Sequence, residues 1–178
     1  MFRSLFGRKT AQPPGNFVFL RLETDGLPEI WMLNHKVDTD IERAAFPWHL
    51  TIDIEMKEAH EIGLPTDAEQ RDLTKLRETL DVTLLTDKNA LWLGSMTWNR
   101  TRQLIYRVRI QSPVNEYLTA LMGSSAAMRP MQHRMVPDAS WEQAEYYLEP
   151  LLLDSPAAEP RRYAPTMISA TATTGAPQ

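Results

Sequence analysis

Six arginines, Arg100, Arg102, Arg107, Arg109, Arg129 and Arg134, stand within residues 99–136 against a single acid, Glu116. A guanidinium offers a planar fork of donors that matches phosphate and carboxylate oxygens. This is therefore the stretch where the chain could hold an anion, a nucleotide or RNA. Arg100 and Arg102 fall at a predicted hairpin tip and, with Arg129, are the candidate contacts for an outside ligand. Trp92 and Trp98 lie on the strand before that tip, and an exposed aromatic pair marks a binding surface. Other chemistries lack their residues. The chain has no cysteine, which removes thiolate nucleophiles, thiolate metal sites and disulfides together. His60-Glu61 is without the second histidine of a zinc-protease helix, so His49, Glu55, Glu58, His60 and Glu61 read as surface polar side chains. Ser95 after Gly94, and Ser124-Ser125 after Gly123, do not form the Gly-x-Ser-x-Gly elbow of a hydrolase. No glycine-rich phosphate loop is present. The expectation is no catalytic residue, no metal and no cofactor, leaning away from an enzyme.

Charge sets further bounds. The 178 residues carry a net charge of −4, and residues 23–87 hold 16 acids against 6 bases. An acidic body argues against general nucleic-acid binding, which depends on neutralising phosphates. No apolar run reaches the roughly 18 residues that a membrane span needs. The first residues lack the apolar segment of a secretory signal, and a cytoplasmic location is expected.

The elements that position these residues follow from periodicity. Residues 1–15 read as a flexible basic arm, 16–153 as one domain, and 154–178 as a disordered Pro/Ala/Thr-rich tail. Two β-prone runs, 17–22 and 29–34, join across Asp25-Gly26, a hairpin signal. From Trp48 to Met56 apolar and polar residues alternate strictly, with Trp48, Leu50, Ile52, Ile54 and Met56 on one face. Thr66 and Glu69 have capping-box spacing ahead of Leu73, Leu76, Leu80 and Leu84 at helical intervals. Strands are predicted over 90–98 and 103–111, with Leu104, Tyr106, Val108 and Ile110 inward and Ile105, Arg107 and Arg109 outward. On the first of these, Trp92, Met96 and Trp98 share one face and Leu91, Leu93, Ser95 and Thr97 the other. Ser112-Pro113 reads as a helix start, 130–136 as a short strand, and Asp138 or Ser140 as the cap of a last helix that carries Trp141 and stops at Pro150.

This order specifies an α+β domain with a ferredoxin-like βαββαβ core, an antiparallel sheet, an extra N-terminal hairpin and a C-terminal helix. Strands 48–56 and 103–111 are expected as central, parallel neighbours bordered by 130–136. Both crossover helices lie on one side, leaving Asp53 and Glu55 beside Arg107 and Arg109, with Gln132 and Arg134, on an uncovered face. That face lacks the outward aromatics of an RNA-stacking platform.

From the hairpin onward the chain resembles an uncharacterised bacterial family known only as a domain of unknown function, family 695 (DUF695). The likeness rests on Asp25-Gly26, Phe46-Pro47-Trp48, Gly63-Leu-Pro-Thr66, Leu93-Gly94-Ser-Met-Thr97, Trp141 and Leu148-Glu-Pro150, and spans about residues 16–152. The family implies no activity or catalytic residues. Related chains are sometimes joined to a domain similar to the protein inhibitor of ribonuclease E, a hint towards regulation. The expectation is a non-catalytic interaction or regulatory module that binds another protein. An anion, nucleotide or RNA binder using the arginine hairpin, and an enzyme with an unfamiliar site, are the alternatives.

Overall fold

A computed structural model describes residues 17–34, 42–124 and 129–152; the expected basic arm and C-terminal tail lie outside them. Among the described residues six strands and three α-helices follow in the order β1 (Phe17–Thr24), β2 (Leu27–Asn34), β3 (Trp48–Glu55), α1 (Asp67–Leu84), β4 (Ala90–Trp98), β5 (Thr101–Val108), α2 (Gln111–Met122), β6 (Met131–Pro137) and α3 (Glu142–Leu152). The strands form one mixed-order, fully antiparallel sheet, β1-β2-β4-β5-β3-β6.

Local chemistry explains most boundaries. Asp25 and Gly26 both take positive φ, +53° and +75°, the backbone of a two-residue turn whose twist matches the strands it joins. The Thr66 hydroxyl accepts a hydrogen bond from the Glu69 amide at 3.2 Å and starts α1. Leu73, Leu76, Leu80 and Leu84 then bury against Leu50, Ile52 and Ile54 of β3 and Leu104, Tyr106 and Val108 of β5. Val114 and Leu118 of α2 join the same cluster, so α1 and α2 share one face of the sheet. Burying each such side chain stabilises the fold by about 1.5–3 kcal/mol.

Several expectations are corrected. β3 and β5 are neighbours, but antiparallel: Trp48 faces Val108 and Glu55 faces Thr101. The parallel relations fall instead between strands joined by a helix, β3 with β4 and β5 with β6, each pair split by a strand running the other way. This reverses the charge pairing. Asp53 lies opposite Gln103 and Gln132, and Arg107 lies opposite His49, so neither Asp53 nor Glu55 faces an arginine across β5.

The second face is not open. α3 lies across it, and Trp141, Ala144 and Leu148 bury against Phe46, Leu93 and Ile105. The six strands are the expected four of the core plus the N-terminal hairpin. With helices on both faces, however, the domain departs from the expected layout, which left one face open. Arg107, expected in water, is fully buried beneath α3.

β4 brings a third correction. Its pairing with β5 slips between Trp92 and Gly94, so Leu93 is an extra residue and alternation restarts beyond it. Trp92 packs towards α1, whereas Leu93 belongs to the α3 side. Trp98 therefore sits on the face opposite Trp92 rather than beside it. Gly94, at φ +155°, allows this bulge, since a Cβ there would lie 2.3 Å from the Met32 carbonyl oxygen.

The helix ends also differ from expectation. α2 starts at Gln111 with no side-chain cap, and Pro113 occupies its first turn, where the missing amide costs no bond. α3 continues past Pro150 to Leu152.

Candidate functional site

A cavity of about 630 Å³ opens where the C-terminal end of α1 meets the start of β4. Leu85, Ala90, Leu91 and Trp92 form its apolar floor, with Ala45 and Phe46 from the turn before β3. Glu42, Lys88 and Arg109 bring charge to it, and Asn34 closes the β2 side. An apolar hollow with a few convergent polar groups is the usual form of a ligand site.

The chain builds this site through turns. A tight turn over Thr86–Lys88 follows α1, with Asp87 and Lys88 at φ +53° and +55°. Asn89 then ties the turn to the end of β5: its side-chain amide donates to the Ile110 carbonyl at 3.0 Å, and its oxygen accepts from the Ile110 amide at 2.9 Å. The Arg109 amide donates to the Asn89 carbonyl at 2.8 Å. These bonds fix the backbone at Lys88 and Arg109 on one rim. The Arg109 guanidinium stands 4.9 Å from the Phe46 ring centroid. Trp92 is held from several sides: its indole N–H donates to the Gly94 carbonyl at 2.7 Å, Phe17 packs at 5.3 Å, and the Arg77 guanidinium lies 4.4 Å above its ring.

Of the candidate contacts Arg100, Arg102, Arg129, Trp92 and Trp98, only Trp92 lines this cavity. Trp98 donates its indole N–H to the Thr24 carbonyl at 3.2 Å on the opposite face. Arg100 is exposed in the β4–β5 turn, at φ +64°; its amide donates to Gly63 and its carbonyl accepts from Met56, both at 2.9 Å. Arg102 turns inward beneath α1 and donates to Gln70 Oε1 at 2.8 Å, while its Nε has no partner. Burial, with the nearby Arg77 charge, lowers its pKa to about 10. Arg129 is buried in an ion pair with Glu69, whose carboxylate also accepts from the Lys57 amide at 3.2 Å. The hairpin arginines thus do not converge on one external ligand. Sequence reasoning missed Lys88 and Leu85 as site residues and placed Arg109 on the open sheet face. The Asp87-Lys-Asn89 turn was their signal, but a turn motif alone does not say what packs around it.

The buried ionisable groups have internal work. Arg107 donates to the Phe46 carbonyl through Nε (3.2 Å) and Nη2 (2.7 Å), and to the Asp138 carboxylate and carbonyl, both at 2.5 Å. Its guanidinium lies 4.5 Å from the Trp141 ring centroid, and the Trp141 indole N–H reaches the Arg43 carbonyl at 2.8 Å. Burial lowers the Arg107 pKa, and Asp138 opposes that shift. Beneath α1, Asp81 accepts from the Tyr106 hydroxyl at 2.8 Å and from Arg77 at 2.5 Å. Burial raises the Asp81 carboxyl, an effect the Tyr106 and Arg77 contacts oppose, and it lifts the Tyr106 hydroxyl well above its ordinary value.

His49, read from sequence as a surface residue, is also buried. It stacks on Tyr147 with ring centroids 5.5 Å apart, and its Nδ1 has no partner. Burial, then the charge of Arg107, lowers its pKa to about 4. Among the described residues, no group of three His, Asp or Glu side chains is placed to hold a metal ion. No described helix is long and apolar enough to cross a membrane.

The result is a mixed α/β protein whose six-stranded antiparallel sheet is packed by helices on both faces and hollowed beside Trp92. The model of a family described as a family of unknown function (DUF695) matches residues 16–151, and the chain belongs to that family. Landmark residues behind the resemblance have structural work: Thr66 caps α1, Gly94 allows the bulge, and Trp141 serves the Arg107 cluster, as does Phe46, which also lines the cavity. No curated protein and no solved structure matches the chain.

Proposed function

We propose that this domain is a non-catalytic module that binds another protein, seating an apolar side chain of an acidic segment in the Trp92 cavity. One observation carries the reading. The cavity sets an apolar floor against two cations, Lys88 and Arg109, and a single acid, Glu42. Lys88 and Arg109 are exposed and form no ion pair among the described residues, so their charge faces outward. Three strongly perturbed groups, Tyr106, His49 and Arg102, are packed inside the fold and support no catalytic assignment. A cytoplasmic location fits the absence of cysteine.

Selection of peptides from a random display library tests the proposal. The unaltered protein should enrich sequences that combine an aromatic or aliphatic residue with flanking Asp or Glu, and binding should weaken as ionic strength rises. A Lys88→Glu, Arg109→Glu variant should fold with an unchanged thermal midpoint and lose that enrichment. Peptides retained equally by the variant, or enrichment without acidic character, would refute the reading.

A further inference from the structure

We infer that the outer edge of β1 pairs with the same strand of a second copy of this chain, in one register, to make a twofold dimer with a continuous sheet. This surface is distinct from the Trp92 cavity, and its test stands apart from that of the proposed function.

The two edges of the sheet differ. β6 is flanked by Pro130 and ends at Pro137, prolines that discourage pairing. β1, with the sequence FVFLRLET, has neither proline nor lysine, no bulge in its pairing with β2, and an exposed Phe19 (58%). Its outer edge pairs with nothing among the described residues.

The hairpin determines which groups face outward. A two-residue turn closes on a hydrogen-bonded pair, here Thr24 and Leu27, and such pairs alternate along an antiparallel ladder. Thr24, Leu22, Leu20 and Val18 therefore direct their amides and carbonyls towards β2. Those of Glu23, Arg21, Phe19 and Phe17 point away from the sheet.

A twofold axis normal to the sheet pairs residues of like face. With the axis at Leu20, Phe17 meets Glu23 of the second copy and Phe19 meets Arg21. Every outward amide from 17 to 23 then gains a partner. On the α3 side Val18 meets Leu22 and Leu20 meets Leu20, an apolar ladder that continues the row from Leu20 to Trp31 and on to Tyr146. On the α1 side each Arg21 lies against the Phe19 ring of the other copy, a favourable cation–ring contact. An axis at Arg21 would set like charges face to face, and axes at Phe19 or Leu22 would overlap only Phe17–Arg21 or Leu20–Thr24. The sequence of β1 selects Leu20.

The full chain has no cysteine, so engineered single cysteines report position without competition. In this register the Leu20 pair is a non-hydrogen-bonded one, with Cα atoms about 4.5 Å apart, within the roughly 4.4–6.8 Å that a disulfide spans. A cysteine at position 23 would lie about 20 Å from its mate, six residues away along the strand. Leu20→Cys should therefore give a covalent dimer under mild oxidation, and Glu23→Cys a monomer. By sedimentation, the unaltered chain should show a concentration-dependent dimer. Arg21→Pro removes an outward amide, so it should abolish the dimer while leaving the circular dichroism intact, with a thermal midpoint matching that of the unaltered protein at concentrations where the latter is monomeric. A monomer at all concentrations, equal cross-linking at positions 20 and 23, or a dimer that survives Arg21→Pro would overturn the inference.

Discussion

Replacing Arg107 with methionine should be among the most damaging single changes that leave the surface untouched. Arg107 is fully buried, and the Asp138 side chain it neutralises is 3% exposed. Removing the guanidinium leaves that carboxylate in the interior without a counter-charge, a loss of about 3–5 kcal/mol. The Phe46 carbonyl loses both side-chain donors, and an unsatisfied buried acceptor costs about 1–3 kcal/mol. Against a total stability of about 5–15 kcal/mol for a domain of this size, Arg107→Met should leave a marginal fold. Adding Asp138→Leu removes the stranded charge, so the double variant should be more stable than Arg107→Met alone. The Phe46 carbonyl, the bond from Arg107 to the Asp138 backbone carbonyl and the ring contact would remain uncompensated, and the two changes should couple by about 2 kcal/mol or more. Urea titration followed by circular dichroism and tryptophan fluorescence measures all the corners of the cycle. A loss below about 1 kcal/mol for Arg107→Met, or strict additivity with Asp138→Leu, would refute the claim that this ion pair ties the segment leading into α3 to the sheet.

Two further outcomes follow from the interior. His49 has a folded pKa of about 4, below the ordinary value of 6.5, because burial and Arg107 disfavour its charged form. Between those values the unfolded chain binds a proton that the folded chain refuses. Stability should therefore fall as pH drops from about 6.5 to about 4, by roughly 3 kcal/mol in total, and this contribution should flatten below that. Carboxylates titrate in the same window, so the measurement is the difference between the unaltered protein and His49→Phe, which keeps the stack on Tyr147 but carries no proton. Equal pH slopes for the two proteins would count against the assignment. Gly94→Ala should cost about 3 kcal/mol or more, because its Cβ meets a backbone carbonyl and φ +155° is strained for any side chain. A thermal midpoint within a degree or two of the unaltered protein would be the contrary result.

Local signals proved legible where one or two residues carry a conformation. Asp25-Gly26 takes the two positive φ values its composition suggests, Thr66 caps α1, and the strict alternation of 48–56 appears as β3. What failed required knowledge of partners distant in sequence. Alternation carried through 90–98 placed Trp92 and Trp98 on one face, because the extra residue at Leu93 has no mark in periodicity beyond the glycine that follows it. Arg107 followed an outward pattern, and its burial depends on α3 bringing Trp141 over the sheet and on Asp138, 31 residues later, supplying the counter-charge. Arg129 finds Glu69 across 60 residues in the same way. The cavity was least legible of all, since its floor and rim come from separate turns.

The Arg107 cluster also changes how the end of the chain should be regarded. The side chain that anchors α3 comes from the middle of the sheet, while its acceptors lie just before β3 and just after β6. Lifting α3 away would leave Arg107 its acceptors but open that ion pair and a greasy surface to water together. A shortened chain ending before Asp138 would instead inherit a sheet with an orphaned cation at its centre.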